Sequence, residues 1–353
     1  MHHERIPSKT ILAGDIGGTN TSLALIEHNR EGFQIRAKAS LKTQELPGIE
    51  PAIEHALDTF RGQSLPKPDL CCISAAGPII GTTCRLSNAP WSIDSDRVTE
   101  KFTLTTYLIN DFSAICYGIP LYDVSDRDKI TPLAHCDGSF PERRGHVTAV
   151  VGAGTGLGVG YLIESDGVYT AFPSEGGHSH LGAFDDDTDG FAEYIRARYG
   201  RGPGAELFVS GQGIANIYRY FEATGRLKDS REATSLSLLA DVEIPAAISA
   251  RTDSDAVCAQ IMSLFARMYG RFAANAALFF LPTAGVFLAG GIAAKNERLF
   301  TESPEFMRAF EETYKSELRP VLRSIPVFIV KDYEISLFGA AHAAILRSVR
   351  DGA

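Results

Sequence analysis

Apolar residues fall along this chain in short runs that stop at glycine or at a polar pair. The first is Thr10–Gly14 (TILAG), which ends in Asp15-Ile16-Gly17-Gly18-Thr19-Asn20 and is followed by the apolar run Ser22–Ile26. Helical periodicity is absent there, so the pattern predicts two strands joined as a hairpin by a glycine turn with a polar tip. Ile53–Phe60 carries helical spacing, Leu70–Ala75 (LCCISA) reads as a buried strand cut off by Gly77-Pro78, and Thr105–Ile109 is an apolar run closed by Asn110-Asp111. The hairpin pattern then returns: Val147–Val151, the turn Gly152-Ala153-Gly154-Thr155-Gly156-Leu157-Gly158, and the run Val159–Ile163. Two strand–turn–strand units, each opening a mixed α/β segment, look like two copies of one architectural element. Such duplication predicts an α/β protein of two lobes with a ligand between them, the second lobe larger and more helical. The region Tyr122–Arg144 lacks apolar periodicity and reads as the crossing point between the lobes.

One stretch, Phe272–Ala294, holds no charge over a length that could span a bilayer. Pro282 interrupts it, the strand-type run GVFLA stops at Gly290-Gly291, and Arg267 and Arg271 lie in the preceding helical pattern, Asp255–Leu281. A buried helix, a turn and a buried strand are expected instead.

Composition narrows the class. With 353 residues, 44% hydrophobic and 22% charged, the chain is globular and long enough for roughly two domains. Its 34 Lys and Arg against 43 Asp and Glu leave a net charge of −9, which argues against nonspecific nucleic-acid binding. The six cysteines form no C-x-x-C, which disfavours the common zinc spacings and suits a reducing compartment. The segment MHHERIPSKT carries no apolar signal core, and a cytoplasmic location without membrane attachment is expected.

Successive glycines let backbone N–H groups converge on an anion because no Cβ blocks the approach. Neither turn is a Walker loop, since Gly-Lys occurs nowhere, and counting G-x-G-x-x-G from Gly152 puts Leu157 at the last glycine position. Two such turns, the first opening with the carboxylate Asp15, point to phosphate binding. Asn110-Asp111, directly after a strand, is either an Asx turn or helix cap, or an aspartate held rigidly enough to accept a proton from an attacking hydroxyl. Ser174-Glu175-Gly176-Gly177-His178-Ser179-His180, with Glu206 ahead of Ser210-Gly211-Gln212-Gly213, offers acceptors and donors suited to the hydroxyls of a neutral polyol. His178-x-His180 lacks further ligands at zinc spacing. Asp185-x-Asp187-x-Asp189-Gly190 copies the start of a calcium loop, but Arg196 stands at its twelfth position; acidic residues opening a helix that runs to about Tyr199 is the better reading.

Taken together these residues are similar to a known family. The chain resembles the bacterial-type glucokinases, ATP-dependent hexose kinases of the actin-like ATPase superfamily. In order, the matching segments are AGDIGGTN (Ala13–Asn20), AAGPI (Ala75–Ile79), SNAPW (Ser87–Trp91), INDFSA (Ile109–Ala114), VGAGTGLG (Val151–Gly158), PSEGGH (Pro173–His178), SGQG (Ser210–Gly213), GRFAANAAL (Gly270–Leu278) and FLAGGIAAKN (Phe287–Asn296). The resemblance implies a two-lobed actin-like (ribonuclease H-like) α/β fold with a central interdomain cleft. Its small domain would be residues 1–121 plus 335–353, completed by the C-terminal helix, and its large domain residues 122–334. It implies transfer of the ATP γ-phosphoryl group to the 6-hydroxyl of glucose, with Asp111 as general base and Asn110, Glu175, His178, Glu206 and Asn88 on the sugar. Asp15, Gly17, Gly18, Thr19, Asn20, Gly152, Gly154, Thr155 and Gly156 would embrace the ATP phosphates, and Gly290 and Gly291 would line the adenosine side. Asp15 would orient the Mg²⁺ carried by ATP; no structural zinc is expected, because no cysteine lies between Cys136 and Cys258. A homodimer is implied as well.

The chain departs from the family in having Ser22 where many relatives have Arg, and Gln212 where they have Pro. Two other classes compete. A sugar-sensing regulator on the same fold is disfavoured because the first strand starts near Thr10, with no room ahead of it for a helix-turn-helix. An actin-like phosphatase leaves Glu175, His178 and Glu206 unexplained, since carboxylates repel phosphoanions.

Overall fold

The computed structural model describes residues 8–86 and 89–352. The chain forms two compact units: Met1–Asp123, Glu164–Pro173 and Glu334–Ala353 make one, and Val124–Ile163 with Ser174–Tyr333 the other.

The first unit is built on a sheet in the order β3–β2–β1–β4–β5, with β1 at Lys9–Ile16, β2 at Asn20–Asn29, β3 at Gly32–Lys42, β4 at Leu70–Ala75 and β5 at Thr106–Asn110. β1 and β2 pair antiparallel across the glycine turn, with Asp15 opposite Ser22, and β1–β4–β5 run parallel. Every residue of β4 is buried, so apart from Ser74 its sequence is an apolar run instead of an alternating one. β3, at the edge, alternates half-buried Ile35, Ala37, Ala39 and Leu41 with exposed Gln34, Arg36, Lys38 and Ser40, which keeps its free side polar. Helix α1 (Ile49–Gly62) adds Ile49, Ala52, Ile53, Ala56 and Phe60 to the core.

Helix α2 (Asp111–Gly118) follows β5 directly. The C-terminal helix Ile335–Asp351, labelled α6 below, lies against α2, β1 and β4. Small residues make the approach possible. A Cβ added at Gly339 would stand 1.8 Å from the Ala114 carbonyl oxygen, and one at Gly118 would stand 2.5 Å from Ile335 Cγ1. Ala340, Ala341, Ala343 and Ala344 bury the rest of the stripe, and His342 donates from Nδ1 to the Tyr117 carbonyl at 2.8 Å.

In the second unit the hairpin β7 (Val147–Ala153) and β8 (Leu157–Ser165) is followed across the sheet by β9 (Gly285–Ala289), β10 (Val327–Val330) and β6 (Ile130–Leu133). β7, β9 and β10 are parallel, as β1, β4 and β5 are, so both units repeat a hairpin extended by two parallel strands. Pairing continues through Gly152–Gly158 and Ala153–Leu157, which shortens the expected seven-residue turn to Gly154-Thr155-Gly156. The chain crosses from the first unit to the second at Asp123–Val124, as expected for Tyr122–Arg144, but the rest of that region is not a bare connection: it carries β6, which closes the second unit's sheet edge, and His135 behind it is buried against Glu311 and the Ile325 carbonyl. A four-residue strand holding Pro132 shows too little pattern to be seen, and proline is tolerated there because an edge strand need not donate on both sides.

Helix α3 spans Asp186–Tyr199, with Asp185 and Thr188 forming a reciprocal cap; Arg267 bonds Asp185 and Asp187 at 2.8 and 3.0 Å. The acidic run therefore opens a helix, as expected. α4 (Gly211–Ala223) packs on α5 (Ala256–Phe280), whose inner face is the centre of the large core. α5 ends at Leu281 in a left-handed conformation before Pro282, so Phe272–Ala294 is helix, turn and strand, followed by the start of a short helix at Gly291. No described helix is long and apolar enough to cross a membrane.

Gly339→Ala is expected to destabilise the protein by about 1–3 kcal/mol, the usual cost of forcing atoms into a packed contact. Gly182→Ala, where an added Cβ meets nothing within 4 Å, should be near neutral; chemical denaturation of both variants checks the contrast. Burial holds the His342 pKa below its ordinary value, and the neighbouring His28 is lowered for the same reason. Phe33, Tyr117 and Tyr169 pack around the His342 ring. The unfolded chain takes up the proton first, so this stability is present above about pH 6.5 and is lost as pH falls through the folded value. Denaturation midpoints should drop between pH 7.5 and 5.5, and the slope should flatten in His342→Gln.

Candidate active site

In the first unit the candidate residues gather at the C-terminal ends of β1 and β5, where ligands of open α/β sheets bind. Ile16 pairs with Ala75 and Ala75 with Asn110, so the two strand ends stand two strand spacings apart, roughly 10 Å. The turn Gly17–Thr19 is held from behind. The Gly17 carbonyl accepts from the Thr43 hydroxyl at 2.8 Å, the Gly18 carbonyl from Gln44 Nε2 at 3.2 Å, and the Thr19 carbonyl from the Thr43 N–H at 3.0 Å. Lys42 Nζ bonds Asn20 Oδ1, and Trp91 Nε1 donates to the Thr43 carbonyl. With three successive carbonyls bonded to residues 43 and 44, the turn offers N–H groups to an anion.

Asp15 lies at the mouth of this turn. Its Oδ2 accepts from Ser336 Oγ at 2.7 Å and its Oδ1 from Ser74 Oγ at 3.3 Å. Asn110 caps α2: its Oδ1 accepts from the N–H groups of Phe112 at 2.9 Å and Ser113 at 3.3 Å. The capping reading of this residue was correct, and it leaves the Asn110 amide as the side chain's donor. Asp111 opens the helix, where the positive end of the dipole favours a carboxylate, and its Oδ1 accepts from the Phe112 N–H at 2.9 Å. Asn88, expected on the sugar, lies outside the described residues.

The second unit brings another set together around Gly154–Gly156. Glu206 Oε2 accepts from the Leu157 N–H at 2.9 Å, and the Gly211 N–H donates to the Gly154 carbonyl at 2.8 Å. Gly177 is pressed onto β8, where a Cβ would lie 1.9 Å from the Leu157 carbonyl oxygen. Gly290, at the end of β9, has φ +88° and would clash at 2.6 Å with the Ala153 carbonyl oxygen, so only glycine serves there. Tyr269, deep in the core, donates to the Val151 carbonyl and accepts from the Ala153 N–H, bracing the strand end. Glu175 precedes a single 3₁₀ turn and His178 ends it; both are exposed, with Oε2 and Nε2 at 3.8 Å. The Ala205 N–H donates to the Ser179 carbonyl, which docks their loop beside Glu206. Glu175, His178 and Glu206 thus share one neighbourhood with the glycine turn.

The two departures have local partners: Ser22 Oγ lies 3.2 Å from Ser40 Oγ, and Gln212 Nε2 donates to the Tyr199 hydroxyl at 3.3 Å. Sequence reasoning missed the bracing residues Thr43, Gln44, Ser74, Tyr269 and Ser336. None lies in a glycine-rich or acidic motif, so no local signal marks them.

The glucokinase family model matches residues 12–346. The chain belongs to the glucokinase family. A glucokinase of Nostoc sp. is 33% identical, with 95% of this chain and 98% of the relative covered, and one of Synechocystis sp. is 34% identical over 94% and 97%. Among solved structures, a glucokinase from an Antarctic psychrotroph is 27% identical with a TM-score of 0.78 over 95% of this chain and 98% of that one. A Balamuthia mandrillaris glucokinase, solved in complex with glucose, shares the fold at 23% identity and a TM-score of 0.77, covering 97% and 95%. The fold is the α/β, two-lobed actin-like ATPase fold of the family's sugar kinases.

Within this family member, Glu206 has a structural duty that its charge alone does not announce. Glu206→Ala leaves the Leu157 N–H without its partner and should lower stability by about 1–3 kcal/mol, whereas Glu206→Gln keeps an acceptor and should stay close to wild type. Thermal melts without ligand separate the two. Equal losses would show that charge, and not the bond to Leu157, is what the turn needs.

Proposed function

We propose that this chain transfers the γ-phosphoryl group of ATP to the 6-hydroxyl of glucose, giving glucose 6-phosphate and ADP, with Asp111 as the general base. The observation that carries the reading is the placement of Asp111: first residue of a helix seated directly on a strand end, its carboxylate oriented by the Phe112 N–H. An aspartate fixed in this way can take the hydroxyl proton as the new P–O bond forms. The Asn110 amide, Asn88, Glu175, His178 and Glu206 hold the remaining hydroxyls, whose donors and acceptors they match. We read the first unit as the small lobe and the second as the large lobe of the family fold.

The transition state of phosphoryl transfer is loose, so positioning and charge neutralisation carry most of the catalysis. Neither glycine turn contains a lysine. The turns Gly17–Asn20 and Gly152–Gly156 therefore meet the phosphates, through the N–H groups of Gly18 and Thr19 in the first and of Thr155 and Gly156 in the second, since Gly17 donates to the Asn20 carbonyl, Ala153 to Tyr269 and Gly154 to the Gly156 carbonyl; Gly290 and Gly291 lie on the adenosine side. Among the described residues no three His, Cys, Asp or Glu side chains group as a resident metal site. Magnesium enters as part of the nucleotide substrate, and such an ion takes one or two carboxylates and keeps several waters, a requirement that Asp15 fits. By family likeness we also read the protein as a cytoplasmic homodimer.

Asp111→Asn should lower kcat by about 10²–10⁴, the usual worth of a general base, while ADP affinity measured by calorimetry stays unchanged. Turnover close to wild type in that variant would remove Asp111 from the mechanism. A coupled assay over glucose, mannose, fructose and glucosamine tests the substrate assignment in parallel, with glucose expected to give the highest kcat/KM.

A further inference from the structure

Asp15 stands at the end of β1 with both carboxylate oxygens engaged by hydroxyls from remote elements. Ser74 comes from β4 and is fully buried; Ser336 comes from the first turn of α6 and is 7% exposed. A serine in the first turn of a helix usually turns its hydroxyl to its own backbone or to water. Ser336 instead donates to Asp15 Oδ2 at 2.7 Å, the shorter of the carboxylate's two hydroxyl contacts. The donor cannot drift, because α6 is seated on α2 where Gly339 meets the Ala114 carbonyl and Gly118 meets Ile335. The same contact fixes the helix that Asp111 opens.

We infer that Ser336 is a positioning residue for nucleotide-bound magnesium, setting the orientation of the Asp15 carboxylate, with Ser74 as the secondary donor. One hydroxyl on each oxygen selects a single side-chain rotamer and leaves the remaining lone pairs for the water shell of the cation. Outer partners of this kind typically alter metal affinity about 10–100-fold when removed. The inference rests on the reading of Asp15 as the carboxylate that meets the nucleotide's metal. It adds that the C-terminal helix, with no glycine-turn residue of its own, governs the metal dependence of nucleotide binding.

The test is calorimetric titration of the full-length protein with ADP, once in excess Mg²⁺ and once in EDTA. The ratio of the two dissociation constants is the gain in affinity due to magnesium. In Ser336→Ala that gain should shrink about tenfold, while affinity in EDTA and the KM for glucose hold, and Ser336→Thr should restore part of it. The Mg²⁺ concentration for half-maximal turnover should rise in step. Asp15→Asn should abolish the gain. If Ser336→Ala keeps the wild-type gain while Asp15→Asn loses it, the positioning role falls and the reading of Asp15 stands. If Asp15→Asn also keeps the gain, the reading of Asp15 fails and the inference goes with it. An equal drop in affinity with and without magnesium in Ser336→Ala would mark a general structural role and overturn the inference. Should Ser336→Ala fail to fold, Ser74→Ala carries the same comparison, with a smaller loss of gain expected and an unchanged gain counting against it.

Discussion

The close crossing of α6 on α2 is the contact on which the chemistry proposed for the first unit depends. Gly339 brings one helix so near the Ala114 carbonyl that no side chain fits between them. Backbone-to-backbone approach of this kind leaves little freedom for sliding, since packed interiors yield poorly to displacement. Two functional positions inherit that rigidity. α2 begins with Asp111, and α6 carries Ser336 to Asp15. The proposed general base and the carboxylate proposed to face the nucleotide, at the ends of strands two places apart, are therefore referenced to one helix pair.

The two glycine turns show how one local geometry can be held by different chemistry. Both close an antiparallel hairpin whose first strand is extended by parallel neighbours. In the first unit the turn's carbonyls are bonded by Thr43 and Gln44, so the turn is fixed from its acceptor side. In the second, a carboxylate takes a donor: Glu206 occupies the Leu157 N–H, and Gly211 holds the Gly154 carbonyl. An anion approaching that turn meets the N–H groups of Thr155 and Gly156, with a negative charge marking the boundary at Leu157. In a protein of net charge −9 this placement of acid would, on the proposed reading, confine where phosphate sits.

Much of this was legible in the linear chain because it rests on short-range physics. A fully buried strand must be a nearly continuous apolar run, which exposed β4, and a turn that brings N–H groups together must be rich in glycine, which exposed both hairpins. The helix start at Asp185, the stop at Leu281-Pro282 and the capping role of Asn110 follow from local backbone preferences alone. β6 escaped because four residues with a proline among them carry no usable period, and the long turn at Gly152–Gly158 was over-read because glycine is compatible with a paired strand as well as with a bend.

What the sequence by itself determined is therefore the inventory: α/β elements, two glycine hairpins, a set of acids, amides and histidine suited to a sugar, and membership in a family of hexose kinases. Only the tertiary structure decided which groups hold which. Ser336 reaches Asp15 across 321 positions of chain, and Glu206 reaches Leu157 across 49. Such pairings depend on strand order and on which helix faces are narrow enough to touch. No neighbouring residue encodes them, because a hydrogen bond between distant segments is set by the packing of everything between them.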